Sequence, residues 1–275
     1  MTEPKASANH STQTRWALPR PSLRCIPVWR RNLLVWRKLA IPSLLGNFAD
    51  PLIMMLGLGY GLGALIPEVD GVRYASWLAA GTVCFSTMNS ATFEGLYSAF
   101  SRMQVQRTWD AILNAPITLD DVVLAELLWA ASKSLLSGLA ILLVVLALGL
   151  VQSPVQSPQL LWLLLVIPLI GLCFAALALM ITAMARSYDF FMYYFTLVIT
   201  PMSMLSGVFF PVSQLPQALQ SLALLMPMYH ATQLVRPLML GQAPQQALLH
   251  VAVLLGCAVF GLYGASILFR RRLAR

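Results

Sequence analysis

Long apolar runs separated by short polar segments dominate the pattern of this chain. A helix needs about 20 apolar residues to cross a bilayer, and six runs approach that length. They lie near 48–66, 76–99, 123–150, 160–184, 188–208 and 247–269. The pattern therefore predicts an all-α, polytopic membrane protein with six transmembrane helices. An even number of spans would place both termini on one side of the membrane.

A shorter pattern with helical spacing precedes the first run. Within residues 26–40, apolar side chains such as Trp29 and Trp36 share one helical face, and basic ones such as Arg30 and Arg37 lie opposite. Such a helix suits the headgroup layer, so the pattern predicts an N-terminal amphipathic interfacial helix. A basic flank without fixed structure is the alternative. Residues 1–25 are polar and are predicted to form a disordered cytoplasmic tail, which leaves 26–275 as one transmembrane domain.

Proline interrupts the apolar segment 207–246, which lies before the last predicted span. A proline inside a helix removes a backbone hydrogen bond and clashes with the preceding turn. The segment is therefore too broken for a seventh span. We predict one or two short re-entrant helices, whose non-helical connections are tolerated because protein covers them.

The first span carries two local signals. Asp50 suits the N-cap position of this span, and Pro51 suits its first helical position. Four alternating glycines follow in LGLGYGLG, and no strand precedes them as a dinucleotide-binding fingerprint would require. Small residues let membrane helices approach closely, so these glycines predict helix packing.

The composition supports a membrane protein, because 59% of the residues are hydrophobic and 10% are charged, whereas a soluble domain is about 25% charged. Of the 18 Lys and Arg residues, fifteen lie in the two terminal segments or follow the second and fourth spans. Only Arg73 and Arg236 lie in the opposite loops, and Lys133 lies within a span. The positive-inside rule then predicts cytoplasmic termini and a cytoplasmic 101–122 loop. The net charge of +8 requires no nucleic-acid partner.

Besides Asp50 and Asp189 at the starts of their spans, three charged residues fall inside predicted spans: Glu94, Glu126 and Lys133. Each costs about 2.5–3.5 kcal/mol at a helix centre, so they should be paired or hydrated. Glu94 and Lys133 lie at similar depths above the cytoplasmic ends of their spans, which predicts that they can pair. The alternative is that Lys133 extends to the cytoplasm and both glutamates lie in the interface.

No motif for catalysis or metal binding is present in the sequence. The histidines lack a second ligand at metal spacing, and the four cysteines are far apart without a C-x-x-C pattern. A phosphate-binding loop of the form G-x-x-x-x-G-K-[ST] is also absent. We predict that this chain binds no cofactor or metal, and that any ATP is bound and hydrolysed by another chain.

Three stretches together resemble the membrane subunit of ABC-2 type exporters. They are TFEGLYSAFSRMQVQRTWDAILNAPITLDDVVLAELLWAASKS, SGVFFPVSQLP and PMYHATQLVRPLMLG. Within that family the resemblance is closest to the permeases of lipo-oligosaccharide (nodulation factor) exporters, which are called NodJ-like. It covers roughly residues 25–272.

The resemblance implies a six-span permease of the bacterial inner membrane that forms a homodimer among membrane lipids. Two copies of a separate ATP-binding cassette subunit would hydrolyse ATP and drive a lipo-oligosaccharide or related amphipathic glycolipid outward. A drug or antibiotic exporter of the same family is an alternative. A secondary transporter or a membrane-bound transferase acting alone is a weaker one, because no catalytic constellation or paired repeat is visible.

The resemblance also implies a coupling helix, which docks on the ATPase, in the segment SRMQVQRTWDAILNAPIT. On a continuous helix its apolar side chains would share one face and its polar ones another. The residues expected to carry coupling are Val105, Arg107, Trp109, Asp110, Ile112 and Leu113. An interfacial helix anchored by Trp109 is the alternative.

One motif departs from the family pattern on the predicted external side. Where relatives have a motif resembling H-x-x-D-L-x-R, this chain has His230, Gln233 and Arg236. The missing carboxylate leaves the exact substrate open.

Overall fold

The computed structural model describes residues 18–20, 22–151 and 157–273, and the described part is nearly all helical. The helices are α1 (Cys25–Arg37), α2 (Ala40–Gly61), α3 (Tyr74–Phe93), α4 (Thr108–Leu113), α5 (Leu119–Ala147), α6 (Leu163–Met184), α7 (Asp189–Tyr194), α8 (Thr200–Leu205), α9 (Gln217–Ala223), α10 (Pro227–Met239) and α11 (Ala247–Leu273). Short 3₁₀ turns cover Leu62–Ala64, Pro158–Trp162 and Val212–Gln214.

Three π-helical segments extend or join these helices. Two of them, Glu94–Ser98 and Ser101–Val105, continue α3 toward the 106–118 segment. The third, Phe195–Ile199, joins α7 to α8. The helical backbone at the predicted second span therefore continues past residue 99, through two wide turns to Val105.

Within the described residues, a small hairpin is the one element outside the all-α prediction. Strands β1 (Glu68–Val69) and β2 (Val72–Arg73) pair antiparallel, with Val69 opposite Val72. Asp70 and Gly71 connect them with φ angles of 51° and 75°. An Asp-Gly pair with two positive φ values is the sequence favoured in two-residue hairpin turns.

Three of the described helices are long and apolar enough to cross a membrane, namely Leu119–Ala147, Pro158–Met184 and Ala247–Leu273. Two shorter apolar segments, Leu52–Ala64 and Asp189–Leu205, coincide with parts of the first and fifth predicted spans. The segment 207–246 contains two short helices, α9 and α10. The tail expected over 1–25 lies outside the described residues except for 18–20 and 22–25.

The helices pack around α6, which contacts α3, α5 and α11. Glycine allows the closest of these contacts. A Cβ added at Gly261 of α11 would lie 2.7 Å from the backbone of Ala176 in α6, and one added at Gly171 would lie 2.1 Å from Oγ of Ser134 in α5. Substitution at Gly261 would force the two helices apart, whereas substitution at Gly171 would displace the Ser134 hydroxyl and press on the backbone of Ala131 at 3.3 Å.

One prediction about the first span is wrong, and the prediction of glycine packing holds at Gly59 and Gly63 alone. Helix α2 begins at Ala40 and runs through Asp50 and Pro51, so these residues do not cap it. Pro42 lies in the first turn, where backbone N–H groups have no intrahelical acceptor and proline is tolerated. Nor do the alternating glycines all pack closely: a Cβ at Gly57 or Gly61 would meet nothing within 4 Å among the described residues.

Candidate functional site

A buried charge network lies between the end of α3 and the first half of α5. Glu94 and Glu126 are 3% and 2% exposed. Lys133 Nζ lies 2.8 Å from Oε2 of Glu94, and Arg102 Nη1 lies 2.9 Å from its Oε1. Arg102 also donates from Nε to both carboxylate oxygens of Glu126, at 3.0 and 3.1 Å. Two carboxylates thus face two cations, which compensates the cost of burying each charge.

Two tryptophans donate the remaining hydrogen bonds to these carboxylates. Nε1 of Trp129 lies 2.8 Å from Oε1 of Glu94, and Nε1 of Trp109 lies 3.2 Å from Oε1 of Glu126. Both indole rings are buried. Because buried polar groups are costly unless every one has a partner, the tryptophans help to hold the network in one arrangement.

The π-helical segments bring Glu94 and Arg102 into the same network. On a regular α-helix of 3.6 residues per turn, side chains eight residues apart would be offset by about 80°. Glu94 begins the first π segment and Arg102 lies in the second. The wider π turns reduce this offset, so both side chains reach α5.

The 106–118 segment is attached to the helix bundle through Trp109 of α4. Trp109 is fully buried, and its ring centroid lies 4.9 Å from that of Phe269 in α11. Ile112 and Leu113 are half-buried and pack against the same core. The apolar side of α4 therefore packs against the helix bundle of the same chain.

This arrangement corrects the predicted apolar face of the segment. Val105 is 65% exposed and is separated from Trp109, Ile112 and Leu113, because the helix ends before Arg107, whose φ of 49° is left-handed. Arg107 and Asp110 are exposed. The side chains that another protein can reach thus include Val105, Arg107 and Asp110, but not Trp109.

Contacts at the C-terminal end of the segment fix it to α5 and α11. Thr118 and Asp121 form a reciprocal capping box at the start of α5, and Asp120 accepts a hydrogen bond from Nε of Arg270 at 3.1 Å. The residues before α1 join this cluster, since Oγ of Ser22 lies 2.9 Å from Oδ1 of Asp121. The N-terminal, central and C-terminal parts of the chain therefore meet beside the segment.

The predicted external residues lie in and around α10. His230 is buried, with its Nδ1 2.8 Å from Nδ1 of His250 and its Nε2 2.9 Å from the carbonyl of Leu224. The guanidinium of Arg236 lies 3.7 Å from the ring centroid of Trp77 and donates to the carbonyl of Gly207. Gln233 lines a cavity that also contains Arg236. Among the described residues, no three His, Cys, Asp or Glu side chains are grouped as metal ligands.

Sequence reasoning found Glu94, Glu126 and Lys133 but missed the residues that organise them. Arg102 falls in a predicted loop, and the sequence pattern does not indicate the roles of Trp129 and Phe269. The N-cap of α5 is recognisable in the sequence, because Thr118 followed three residues later by Asp121 is a capping pattern.

Comparison with known proteins identifies the family. The sequence profile of the ABC-2 type transporters matches residues 25–240. The chain belongs to the ABC-2 type transporter family. It is 48% identical to Nodulation protein J of Rhizobium meliloti (strain 1021) over 257 residues, which cover 94% of this chain and 97% of the relative.

Other relatives extend the similarity. Nodulation protein J of Rhizobium leguminosarum bv. viciae is 48% identical over 258 residues, covering 94% of this chain and 98% of that protein. The inner membrane transport permease YadH of Escherichia coli (strain K12) is 22% identical over 203 residues, covering 74% and 77%. The matched region of this ABC-2 permease includes the charge network and the 106–118 segment.

Proposed function

We propose that this permease is the membrane subunit of an ATP-driven exporter that moves a lipo-oligosaccharide or related amphipathic glycolipid out across a bacterial inner membrane. The resemblance to NodJ-like permeases supports this substrate class, as does 48% identity to proteins named Nodulation protein J. A separate ATP-binding cassette subunit, in two copies, hydrolyses ATP. Two copies of the permease form the pathway among membrane lipids.

The proposed fold in the membrane has six spans, with α1 in the headgroup layer and α9 and α10 as re-entrant helices. The distribution of Lys and Arg supports cytoplasmic termini, because fifteen of 18 lie on the side of the 106–118 segment. The amphipathic composition of α1 supports its interfacial position.

Reporter tags would test this orientation directly. We expect a tag after Arg275 and another within residues 103–115 to be protected inside intact cells, and a tag near Asp70 to be accessible from outside. Accessibility to a membrane-impermeant reagent gives the measurement. An external C-terminus would contradict the six-span arrangement.

The proposed coupling role rests on the buried contacts that connect the 106–118 segment to the helix bundle. Its outer surface presents Arg107 and Asp110 to solvent, while Trp109 connects it to Glu126 and Phe269 inside the bundle. A force applied to the exposed side would reach α5 and α11 through buried contacts. We therefore propose that the ATPase docks on this exposed side.

Reversing the charge of Asp110 tests the docking surface. We expect Asp110→Lys to reduce copurification of the ATPase at least several-fold, because charges at an interface set complementarity and register. The variant should keep wild-type membrane levels, since Asp110 is exposed. The measurement is the ratio of ATPase to permease after affinity purification, together with export of the glycolipid.

Asp189→Lys is the matched control, since it makes the same charge change at the exposed first residue of α7. It should retain the wild-type ratio. Wild-type copurification and export by Asp110→Lys would exclude Asp110 from the docking surface, whereas equal loss in both variants would indicate a general charge effect.

A further inference from the structure

A cavity of about 220 Å³ opens between α1, the π segments that follow α3, and α5. Its polar wall is formed by the charge network together with two residues of α1. The main polar and aromatic lining residues are Arg31, Asn32, Trp36, Arg102, Trp129 and Lys133. The cavity thus lies on the side of the molecule that carries the 106–118 segment.

The polar wall contains a buried donor without a partner. Asn32 is 4% exposed, and its Oδ1 accepts a hydrogen bond from Nη1 of Arg31 at 3.2 Å. This bond identifies the oxygen end of the amide, which leaves Nδ2 as the donor, and Nδ2 has no hydrogen-bond partner among the described residues. A buried donor in this state favours a ligand that supplies an acceptor.

The charges around the cavity are also unbalanced. Arg31, Arg102 and Lys133 line it together with a single carboxylate, Glu94. Even when Glu126 behind Arg102 is included, three cations face two carboxylates. Arg31 forms no ion pair within the part of the chain that the structure describes. Lys133 has three donors, and one of them donates to Glu94.

The border of the cavity is apolar, which distinguishes it from a site for a free ion. Val35 and Leu39 line it and are 53% and 62% exposed. Trp36 and Trp129 approach each other there, with ring centroids 5.9 Å apart. An amphiphile could thus place its acyl chains along the apolar border and its headgroup among the cations.

We propose that this cavity binds the anionic headgroup of a membrane lipid, from the leaflet on the side of the 106–118 segment. Cationic side chains near a membrane surface attract anionic lipids, and Arg31 and Nδ2 of Asn32 supply the direct contacts. The bound headgroup also adjoins Arg102, whose guanidinium contacts Glu126 and through it Trp109. The lipid would stabilise the connection between the segment and the bundle.

This inference goes beyond the proposed function, since it concerns lipid binding by the permease alone. The test uses the purified full-length chain, stripped of lipid in detergent, and isothermal titration calorimetry. The probes are dihexanoyl phosphatidic acid below its micelle-forming concentration, dihexanoyl phosphatidylcholine and inorganic phosphate. We expect saturable binding of phosphatidic acid, with each of the other two at least about tenfold weaker, which corresponds to about 1.4 kcal/mol.

Substitutions in α1 locate the site. Arg31→Gln and Asn32→Leu should each weaken phosphatidic acid binding about tenfold, because each removes a donor to the headgroup. Arg37→Gln is the matched control, since it removes the same charge from an exposed position of the same helix outside the cavity. It should bind like the wild type. Thermal unfolding monitored by circular dichroism identifies folded variants, and Arg31→Gln decides the result if Asn32→Leu does not fold.

Three results would overturn the proposal. Equal affinities in Arg31→Gln and Arg37→Gln would place binding elsewhere. Phosphate binding as tightly as phosphatidic acid would indicate a free-anion site. Phosphatidylcholine binding as tightly would remove the role of headgroup charge. Each result leaves the exporter proposal intact, because no ATPase or transport enters the measurement.

Discussion

Replacing Arg102 with methionine is expected to lower the free energy of unfolding by about 3–5 kcal/mol, the usual cost of removing one partner from a buried ion pair. Arg102 is the only described cation that contacts both Glu94 and Glu126. Methionine fills much of the same space but leaves Glu126 without a cation. Glu94 would retain Lys133 alone.

Arg107→Met is the control for this variant, because Arg107 lies five residues later, is exposed and forms no ion pair in the described residues. Unfolding of the detergent-solubilised permease by sodium dodecyl sulfate provides the measurement. Adding Glu126→Gln to Arg102→Met should recover part of the loss, since it removes the orphaned charge. Equal stability of the two arginine variants would show that the network contributes little.

Replacing Trp109 with alanine is expected to cost about 3–5 kcal/mol, as for other large aromatic residues removed from a packed core. The change removes both the ring contact with Phe269 and the hydrogen bond to Glu126. It leaves the exposed side chains of Arg107 and Asp110 unaltered. We therefore expect export to be lost even where the ATPase still copurifies, because the docked segment no longer moves α5 and α11.

Two variants separate packing from general effects of losing a tryptophan. Trp109→Phe keeps an aromatic ring against Phe269 but cannot donate to Glu126, so it should retain part of the stability. Trp162→Ala removes a tryptophan that is 60% exposed and should cost far less. Export at the wild-type rate by Trp109→Ala would contradict transmission through this residue.

The prediction for Trp109→Ala differs from the docking role that the family resemblance implies for Trp109. A tryptophan on the apolar side of a short helix can face a partner, a membrane or the protein's own core, and the pattern alone is the same in all three cases. The burial of Trp109 against Phe269 assigns it to the core. The exposed residues of the segment then become the relevant ones for a partner.

Much of the fold follows from local sequence. The apolar runs locate the long helices because the length and composition that a bilayer requires are properties of a continuous stretch. Helices α5, α6 and α11 lie where the runs near 123–150, 160–184 and 247–269 predict helices. Prolines likewise divide the segment before α11 into short helices.

Helix ends were less predictable, because several sequence signals compete there. Asp50 and Pro51 resemble a helix start, yet α2 begins at Ala40. Local signals of this kind contribute about 1 kcal/mol, which packing of the remaining helix can outweigh. The π segments after α3 leave no simple mark in the sequence, although they determine where Arg102 lies.

In the candidate site, too, some features follow from local sequence and others depend on tertiary packing. Glu94, Glu126 and Lys133 stand out in the sequence because a charge inside an apolar run is expensive and must be compensated, whatever the fold. Which cation compensates which carboxylate depends on how far apart the helices lie and how they are rotated. Arg102 reaches both glutamates because α3 continues through two π segments, and Trp109 reaches Glu126 because α11 supplies Phe269 behind it. The need for compensation is therefore local and visible in the residues, whereas the choice of partners is a property of packing between distant parts of the chain.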